Sequence, residues 1–265
     1  MAEVIISDIT IMRDGYCVIA LERVGPDLFR SVRPMPLWGF AWRAPFPHPR
    51  GDYVECDLRP GKDARPPHVE DLQPGSLQPT RRKIGEAELI RYLRQAEFSE
   101  NLHGLFGANL KTSGGGNAWV TPGEAMRSIC ACRYRQVWFQ LFQNADGLRL
   151  RARLGLFSGE SLRSLPVVDR EWQRFIEAAF GPRIPADRLK QSEKNLNRAL
   201  YPRLRGSMRA LARIGLARES AGKCWLMLDS LFPQPQAAWL KRIQYLESLS
   251  GQSGQPQKER VQDAQ

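Results

Sequence analysis

The residues best suited to chemistry are three alternating arginines, Arg149, Arg151 and Arg153, within the segment LRLRARLGLF. Small and branched apolar residues separate them, so a β-strand would put the three guanidinium groups on one face and the apolar side chains on the other. Cations in a row can bind phosphates, because neutralising phosphate charge releases counterions and gives salt-sensitive affinity without sequence preference. The spacing therefore indicates a phosphate-binding surface.

A second set of cations, Lys190, Lys194 and Arg198, recurs every four residues in a predicted helix and so shares one helix side. From Arg149 to Arg213 the chain has 15 lysines and arginines against six acids, and the whole chain carries a formal charge of +11. We assign these cations, Arg203, Arg205, Arg209 and Arg213 included, to one basic surface that favours an anionic partner. Two alternatives stay open: an ordinary solvated surface, or a docking site for an acidic protein.

Aromatic residues supply a second kind of candidate site. Trp38, Phe40 and Trp42 alternate and Arg43 follows them, in a stretch rich in proline. Bases of a single strand stack on such rings at the mouth of a small β-barrel, within a basic groove. The prolines argue against a regular strand and favour an extended loop. The rings could equally plug the end of a barrel or the contact between two domains, so both interpretations stay open.

One short cluster, His68, Glu70 and Asp71, has the residue types of a metal or acid–base site. A histidine with two carboxylates could hold a divalent cation and activate water in a nuclease. The same residues also cap turns and pair with arginines. Gly114–Gly116 lacks the Lys-Ser/Thr of a phosphate loop, and the sequence has no nucleophile elbow. We expect no catalytic residue and no cofactor.

These residues need a scaffold, and the apolar periodicity predicts mainly β-structure with added helices. We predict strands at 4–11, 16–21, 29–32, 52–58, 118–120, 128–141, 148–157, 208–216 and 223–232. We predict helices at 84–98, 169–180, 185–204 and 234–249, with Asp169 as an N-cap, and a loop at 61–78. The fold class is mainly β with added helices, and the short strands with Gly/Pro turns in each half suggest two small barrels packed in one unit; the family resemblance given below implies that they are OB-like. The predicted halves are 1–120 and 121–249, followed by a disordered tail at 250–265.

The remaining composition bears on location. Five scattered cysteines form no paired zinc signature, so we expect reduced thiols. The sequence has no apolar run of membrane-spanning length and no secretory start, which predicts a cytoplasmic protein without membrane contact.

Four stretches together resemble a known family. They are IISDITIMRDGYCVIAL with FRSVRP, PPHVEDLQP, LPVVDREW, and ARIGLARESAGKCWLMLDSLFPQP. In order and spacing they are similar to the dual OB-containing domain family of prokaryotes, over residues 1–240. The resemblance implies two OB barrels and a nucleic-acid-recognition role in prokaryotic conflict or defence systems. It implies no catalytic residues, and the tryptophan-rich stretch after Arg33-Pro34 departs from the family pattern.

The function predicted from all of this is a non-catalytic module that recognises single-stranded or structured DNA or RNA. The alternatives are a protein-interaction subunit that docks an acidic partner, and a metal-dependent nuclease built on His68, Glu70 and Asp71. The cations at 149–153 and 190–198 and the aromatic stretch at 38–43 are the predicted contacts.

Overall fold

The structure, a computed structural model, describes residues 2–12, 15–36, 41–43, 46–61 and 64–252. Of the disordered tail predicted at 250–265, residues 250–252 instead belong to the last helix, and the remainder lies outside the described residues.

The first half is a closed five-stranded barrel in the order β1-β2-β3-β5-β4, in which β4 returns to pair with β1. Its strands are β1 (Ala2–Met12), β2 (Gly15–Arg23), β3 (Phe29–Pro34), β4 (Asp52–Pro60) and β5 (Asp71–Lys83). All neighbours are antiparallel except β3 and β5, which run parallel. Because the barrel closes, most of its strands are paired on both sides. Branched apolar side chains fill most of its interior.

Strand β5 corrects one prediction, because residues 71–78 were expected to be loop. Pro74, within the predicted loop, lies in the strand and pairs with β4, as does Pro79 just beyond that loop. The pairing of β5 with β3 ends at Leu72. From there on, β5 has a paired strand, β4, on one side only within the described chain. Proline lacks an amide donor and is tolerated at such an edge.

The second half is a curled sheet in the order β11-β10-β9-β12-β13-β8-β7, with β6 also pairing with β9. Its strands are β6 (Phe98–Ser99), β7 (Lys111–Thr112), β8 (Ala118–Val120), β9 (Ile129–Asn144), β10 (Gly147–Leu156), β11 (Ser161–Pro166), β12 (Leu211–Leu216) and β13 (Cys224–Phe232). This sheet forms a half-barrel, so the predicted mainly β class with two OB-like barrels is confirmed, one closed and one curled.

Four helices complete the described chain: α1 (Glu86–Gln95), α2 (Arg170–Phe180), α3 (Leu189–Leu204) and α4 (Ala237–Gln252). Asp169 caps α2 as predicted, because its Oδ1 accepts from the Glu171 amide at 2.9 Å. Trp172 on α2 is fully buried, and its Nε1 donates to the Leu231 carbonyl at 3.0 Å. Its ring lies 5.0 Å from that of Phe139 and 6.3 Å from that of Trp239, so α2 and α4 share one core with the sheet.

Helix α3 takes the place of a missing strand beside β9. Strand β12 pairs with β9 up to Arg133, and α3 then runs along the exposed edge. The Asn197 side chain accepts from the Phe139 amide at 2.8 Å and donates to the Phe139 carbonyl at 2.7 Å. Glu193 accepts from the Leu141 amide at 3.0 Å. The helix therefore satisfies backbone groups that a neighbouring strand would otherwise pair.

The two halves are joined by backbone as well as side chains. The Val168 carbonyl accepts from the Ile11 amide at 2.7 Å, and the Val168 amide donates to Leu228 at 3.0 Å. Strand β8 (Ala118–Val120) lies at the end of the predicted first half and pairs with β13 of the curled sheet. Within the described part of the chain, no helix has both the length and the apolar character needed to cross a bilayer. All five cysteines are free thiols.

Candidate nucleic-acid interface

The alternating arginines of β10 lie on its outer face, as their spacing predicts. Leu148, Leu150, Ala152 and Leu154 are buried beneath them. Arg153 is exposed, whereas Arg151 is half-buried and donates to Asn117 Oδ1 at 2.8 Å and to Ser164 Oγ at 2.7 Å. The Arg151 guanidinium also lies 5.0 Å from the centre of the Phe142 ring. One arginine of the row is therefore held in place, and Arg153 reaches into solvent.

A groove of about 830 Å³ opens beside Arg153 on the outer face of β9 and β10. We call it the β9–β10 groove, and its principal lining side chains are those of Arg135, Gln136, Trp138, Arg153, Glu160 and Tyr201. Trp138 is directly opposite Arg153 in the strand register and is 48% exposed. An exposed tryptophan beside a cation is the arrangement on which a base can stack while its phosphate is held.

The floor of the groove depends on a glycine and a bulge. The register between β9 and β10 shifts at Gly155, which leaves Arg135 as the extra residue of β9. A Cβ at position 155 would lie 2.9 Å from Gln136 Cγ, so any larger residue would displace that side chain. β-Bulges commonly redirect side chains at functional edges. Here the bulge turns both Arg135 and Gln136 toward the groove.

Helix α3 supplies the opposite wall and joins the second set of cations to the first. Tyr201 meets Trp138 edge to face at 6.0 Å, and its hydroxyl donates to Gln136 Oε1 at 3.2 Å. Lys194, Arg198 and Tyr201 are spaced i, i+4 and i+7, so they share one exposed helix face. Lys190 is exposed one turn earlier. The structure thus brings both predicted basic rows to the same side of the second half.

The ion pairs of the described chain do not include the cations of this surface. Among the described residues, no ion pair joins an acid to Arg135, Arg149, Arg151 or Arg153, nor to Lys190, Lys194 or Arg198. Glu160 lines the groove, and its Oε2 accepts from the Leu102 amide and the Ser158 hydroxyl. The cations of the surface therefore remain available to an external polyanion.

Of the aromatic stretch predicted at 38–43, the described residues Trp42 and Arg43 do not line this groove. Trp38 and Phe40 lie outside the described residues. Trp42 is half-buried against the first barrel, where its Nε1 donates to the Pro34 carbonyl at 3.0 Å and its ring contacts Phe46 edge to face. Arg43 is exposed. For Trp42 the contacts are those of a packing residue.

His68, Glu70 and Asp71 are all buried and lie where the two halves meet. Glu70 accepts from both the amide and the hydroxyl of Ser128, at 2.8 and 2.9 Å. Asp71 accepts from Arg33 at 2.7 Å and also from Arg218. The described residues contain no group of three ligands able to hold a metal ion. Glu70 thus bonds to Ser128 of the second half, and Asp71 pairs with two arginines, of which Arg218 belongs to the second half.

The electrostatics of His68 agree with a structural role. Burial, together with the neighbouring Arg33 and Arg218, lowers the pKa of His68 to about 3. The imidazole is therefore neutral at physiological pH. Its Nδ1 lies 3.3 Å from Arg33 Nη1, and its Nε2 is buried without a partner among the described residues. A neutral histidine packed beside two arginines cannot serve as a general acid near neutrality.

A second buried charge group lies deeper between the halves, and we call it the seam network. It consists of Asp8, Ser31, Arg213 and Asp229. The Arg213 side chain is inaccessible to solvent; its Nε lies 3.4 Å from Asp8 Oδ2 and its Nη2 donates to Ser31 Oγ at 2.8 Å. Arg213 was expected on the basic surface, and that expectation is wrong. Strand β12 is buried on both faces, so its cation must be paired internally.

Asp229 of the seam network is the unusual member. Burial, reinforced by the charges of Asp8 and Asp169, raises the pKa of Asp229 to about 7, against the opposing effects of Arg33 and Arg213. Its Oδ1 is buried without a partner among the described residues. A Cβ at Gly215 would lie 2.0 Å from Asp229 Oδ2, so this glycine makes room for the carboxyl group.

Asp229 should make stability depend on pH. A carboxyl whose folded-state pKa exceeds its unfolded value stabilises the protein at low pH, and this contribution is lost as pH rises through about 7. The isosteric Asp229→Asn variant is therefore expected to gain about 2 kcal/mol relative to the parent between pH 5 and 8. Urea unfolding at several pH values measures this difference. Asp27→Asn, at an exposed site, is the matched control, and a difference that does not vary with pH would contradict the assignment.

Sequence reasoning missed the centre of the groove. Arg135, Trp138 and Tyr201 were predicted as parts of a strand and a helix, without a functional role. The alternation in RYRQVWFQL contained a usable signal, because Trp138 falls on the polar side of the strand, in phase with Gln136 and Gln140. Tyr201 had no comparable signal, since its contact with Trp138 depends on how α3 packs against β9.

The fold and this surface define a mainly β protein with one closed OB-like barrel, one curled half-barrel and an exposed basic and aromatic groove. No family model, curated protein or solved structure matches the chain. The resemblance to the dual OB-containing family thus stays a prediction.

Proposed function

We propose that the protein recognises single-stranded nucleic acid through the β9–β10 groove. The observation that carries the proposal is the position of Trp138, a half-exposed ring directly opposite Arg153 in register and edge to face with Tyr201. Stacking on such a ring is available to every base, and the flanking arginines can hold phosphates. A duplex would keep its bases stacked and unavailable, so the groove favours a single strand.

The two basic rows extend the groove in two directions. Arg149 and Arg151 continue from Arg153 along β10, and Arg198 and Lys194 continue from Tyr201 along α3. Phosphate contacts along such rows position a strand without reading its sequence. The proposal is therefore a non-catalytic module with little base preference. The resemblance to the dual OB-containing family extends the proposal to a role in a prokaryotic defence system.

Removing the stacking ring tests the proposal. Trp138→Ala is expected to weaken binding of a labelled oligothymidylate by about 1–3 kcal/mol, because stacking on one aromatic contributes that much per base. Fluorescence anisotropy measures the affinity. Tyr245→Ala removes an exposed ring from α4, away from the groove, and should leave the affinity unchanged. Equal effects of the two substitutions, or no binding of DNA or RNA single strands at low salt, would overturn the proposal.

The arginine row should appear in the salt dependence. Each phosphate contact on a single strand contributes about 0.7 to the slope of log affinity against log salt. The triple change Arg149→Ala, Arg151→Ala and Arg153→Ala is expected to reduce that slope by about 1–2 for every sequence tested. Lys241→Ala with Arg242→Ala, on the exposed side of α4, provides a charge-removal control. If the slope were unchanged in the triple variant, the three arginines would not contact the phosphates of the bound strand.

A further inference from the structure

A cleft of about 710 Å³ lies on a different part of the molecule, where the first barrel meets α2 and α4. We call it the junction cleft. Lys83 and Ile84 line it from the end of β5, Arg170 and Phe175 from α2, and Leu240 from α4. Small-molecule sites usually have volumes of about 300–1,000 Å³ and often lie between domains. The size and place of the cleft therefore suit a ligand rather than a macromolecule.

The charges that line the junction cleft are mainly positive. The cations are Arg50, Lys83, Arg170 and Arg174, and the acids are Glu86 and Glu171. Both acids are engaged: Glu86 Oε2 accepts from the Gln234 amide at 2.8 Å, and Glu171 Oε1 accepts from Arg170 Nε at 3.1 Å. Each cation also has a carboxylate within 4 Å: Asp169 for Arg50, Asp52 for Lys83, and Glu171 for both Arg170 and Arg174. Within the lining itself four cations stand against two acids, and this excess favours an anionic ligand.

Several polar atoms around the cleft lack partners within the described part of the chain. Arg50 Nη2 donates to Asp169 and Ser230, whereas Arg50 Nε and Nη1 are buried and unpaired. Arg170 has a side chain only 8% exposed, and its sole hydrogen bond among the described residues is the one to Glu171. Gln234 Oε1 is a buried acceptor without a donor. Buried unpaired polar groups are uncommon, and here several of them lie around one cleft.

Three helices begin at the junction cleft, which adds to the charge of the side chains. The first turns of α1, α2 and α4 contribute Glu86, Arg170 and Ala237 to its lining. Helix N-termini carry a partial positive charge and favour phosphate groups. Among the described residues no side chain caps α1 at Gly85, whereas Asp169 caps α2. Glu86, Glu88 and Glu171 in the first turns of α1 and α2 offset part of the dipoles, and what remains acts in the same direction as the four cations.

The rest of the lining is apolar, with Ile84, Leu89, Phe175 and Leu240 as its main contributors. A free inorganic anion would leave this wall exposed. We propose that the junction cleft binds a small organic phosphate of nucleotide size, whose phosphates meet the arginines and whose flat apolar part covers the wall. This site does not depend on the β9–β10 groove.

Isothermal titration of the full chain with ADP, adenosine and pyrophosphate tests the proposal. ADP is expected to bind saturably and more tightly than either of the others, because it offers both the charge and the apolar surface. Trp138→Ala should leave ADP binding unchanged, which separates this result from that of the nucleic-acid proposal. No heat from ADP at millimolar concentration would overturn the assignment. Adenosine or pyrophosphate binding as tightly as ADP would also overturn the proposed ligand class.

Two exposed cations allow the location to be tested without disturbing folding. Lys83→Gln with Arg174→Gln is expected to weaken ADP binding about tenfold or more, since both side chains line the cleft and are more than half exposed. Lys190→Gln with Lys194→Gln removes the same charge from α3 and should have no effect. Equal weakening by the two pairs would show non-specific attraction, and no weakening by the first pair would place ADP elsewhere.

Discussion

Replacing Arg213 with methionine is expected to lower the free energy of unfolding by about 3–5 kcal/mol, which is typical of breaking a buried ion pair by removing one partner. The Arg213 side chain is fully buried, 3.4 Å from Asp8, and donates to Ser31. Methionine keeps much of the volume but leaves the Asp8 carboxylate without its cation. Urea unfolding followed by circular dichroism and tryptophan fluorescence measures the loss.

A matched control separates the seam network from ordinary charge removal. Arg209→Met changes an arginine whose side chain is 60% exposed and 4.0 Å from Glu86, so it should cost less than about 1 kcal/mol. Combining Arg213→Met with Asp8→Asn removes both charges and is expected to recover part of the loss. If Arg213→Met were no more harmful than Arg209→Met, the seam network would not hold the halves together.

The burial of Arg213 also could not be predicted from the sequence. This residue belongs to the same basic run as Arg149 and Arg153, and nothing local distinguishes it. On β10 the alternation with leucine reveals an outer face, so the exposure of the row was predictable. On β12 every residue is buried, because the strand lies between neighbours and under the first barrel. Its burial depends on the packing of two halves that are distant in sequence.

The polar residues at 68–71 illustrate the same limit. Their types suit a metal site, and the sequence left that alternative open beside arginine pairing. The partners of these carboxylates are distant in sequence. Ser128 is 58 residues from Glu70, and Arg218 is 147 residues from Asp71. By contrast, the Asp169 cap was predictable, since the capping group and the amide it accepts from are two residues apart.

The β9–β10 groove has some features that the sequence predicts and others that depend on how distant segments pack. The two basic rows follow from strand and helix periodicity, which a sequence displays directly. Their convergence does not, because it depends on α3 lying along the free edge of β9. That placement is fixed by Asn197 and Glu193, which bond to the backbone of β9. Tyr201, on the next turn after Asn197, then reaches Trp138. The groove therefore depends on how α3 replaces a strand.

Asn197→Leu is accordingly expected to lower the free energy of unfolding by about 2–4 kcal/mol, because it leaves the amide and the carbonyl of Phe139 buried and unpaired. Asn197 is 1% exposed, and both of its hydrogen bonds to Phe139 are shorter than 3 Å. Leucine has nearly the same volume, so the effect reports the hydrogen bonds rather than a cavity. Urea unfolding measures the stability, and hydrogen exchange at Phe139 measures the opening of the edge.

Gln191→Leu on the same helix is the matched control, since its side chain is exposed and contacts Asn195 rather than β9. It should change the stability by less than about 0.5 kcal/mol. Asn197→Leu should also weaken oligonucleotide binding, because a displaced α3 carries Tyr201 away from Trp138. If the Asn197→Leu variant kept the parent's stability and its slow amide hydrogen exchange at Phe139, the hydrogen bonds from Asn197 would not be what protects the edge of β9. The convergence of the two basic rows would then need another physical cause.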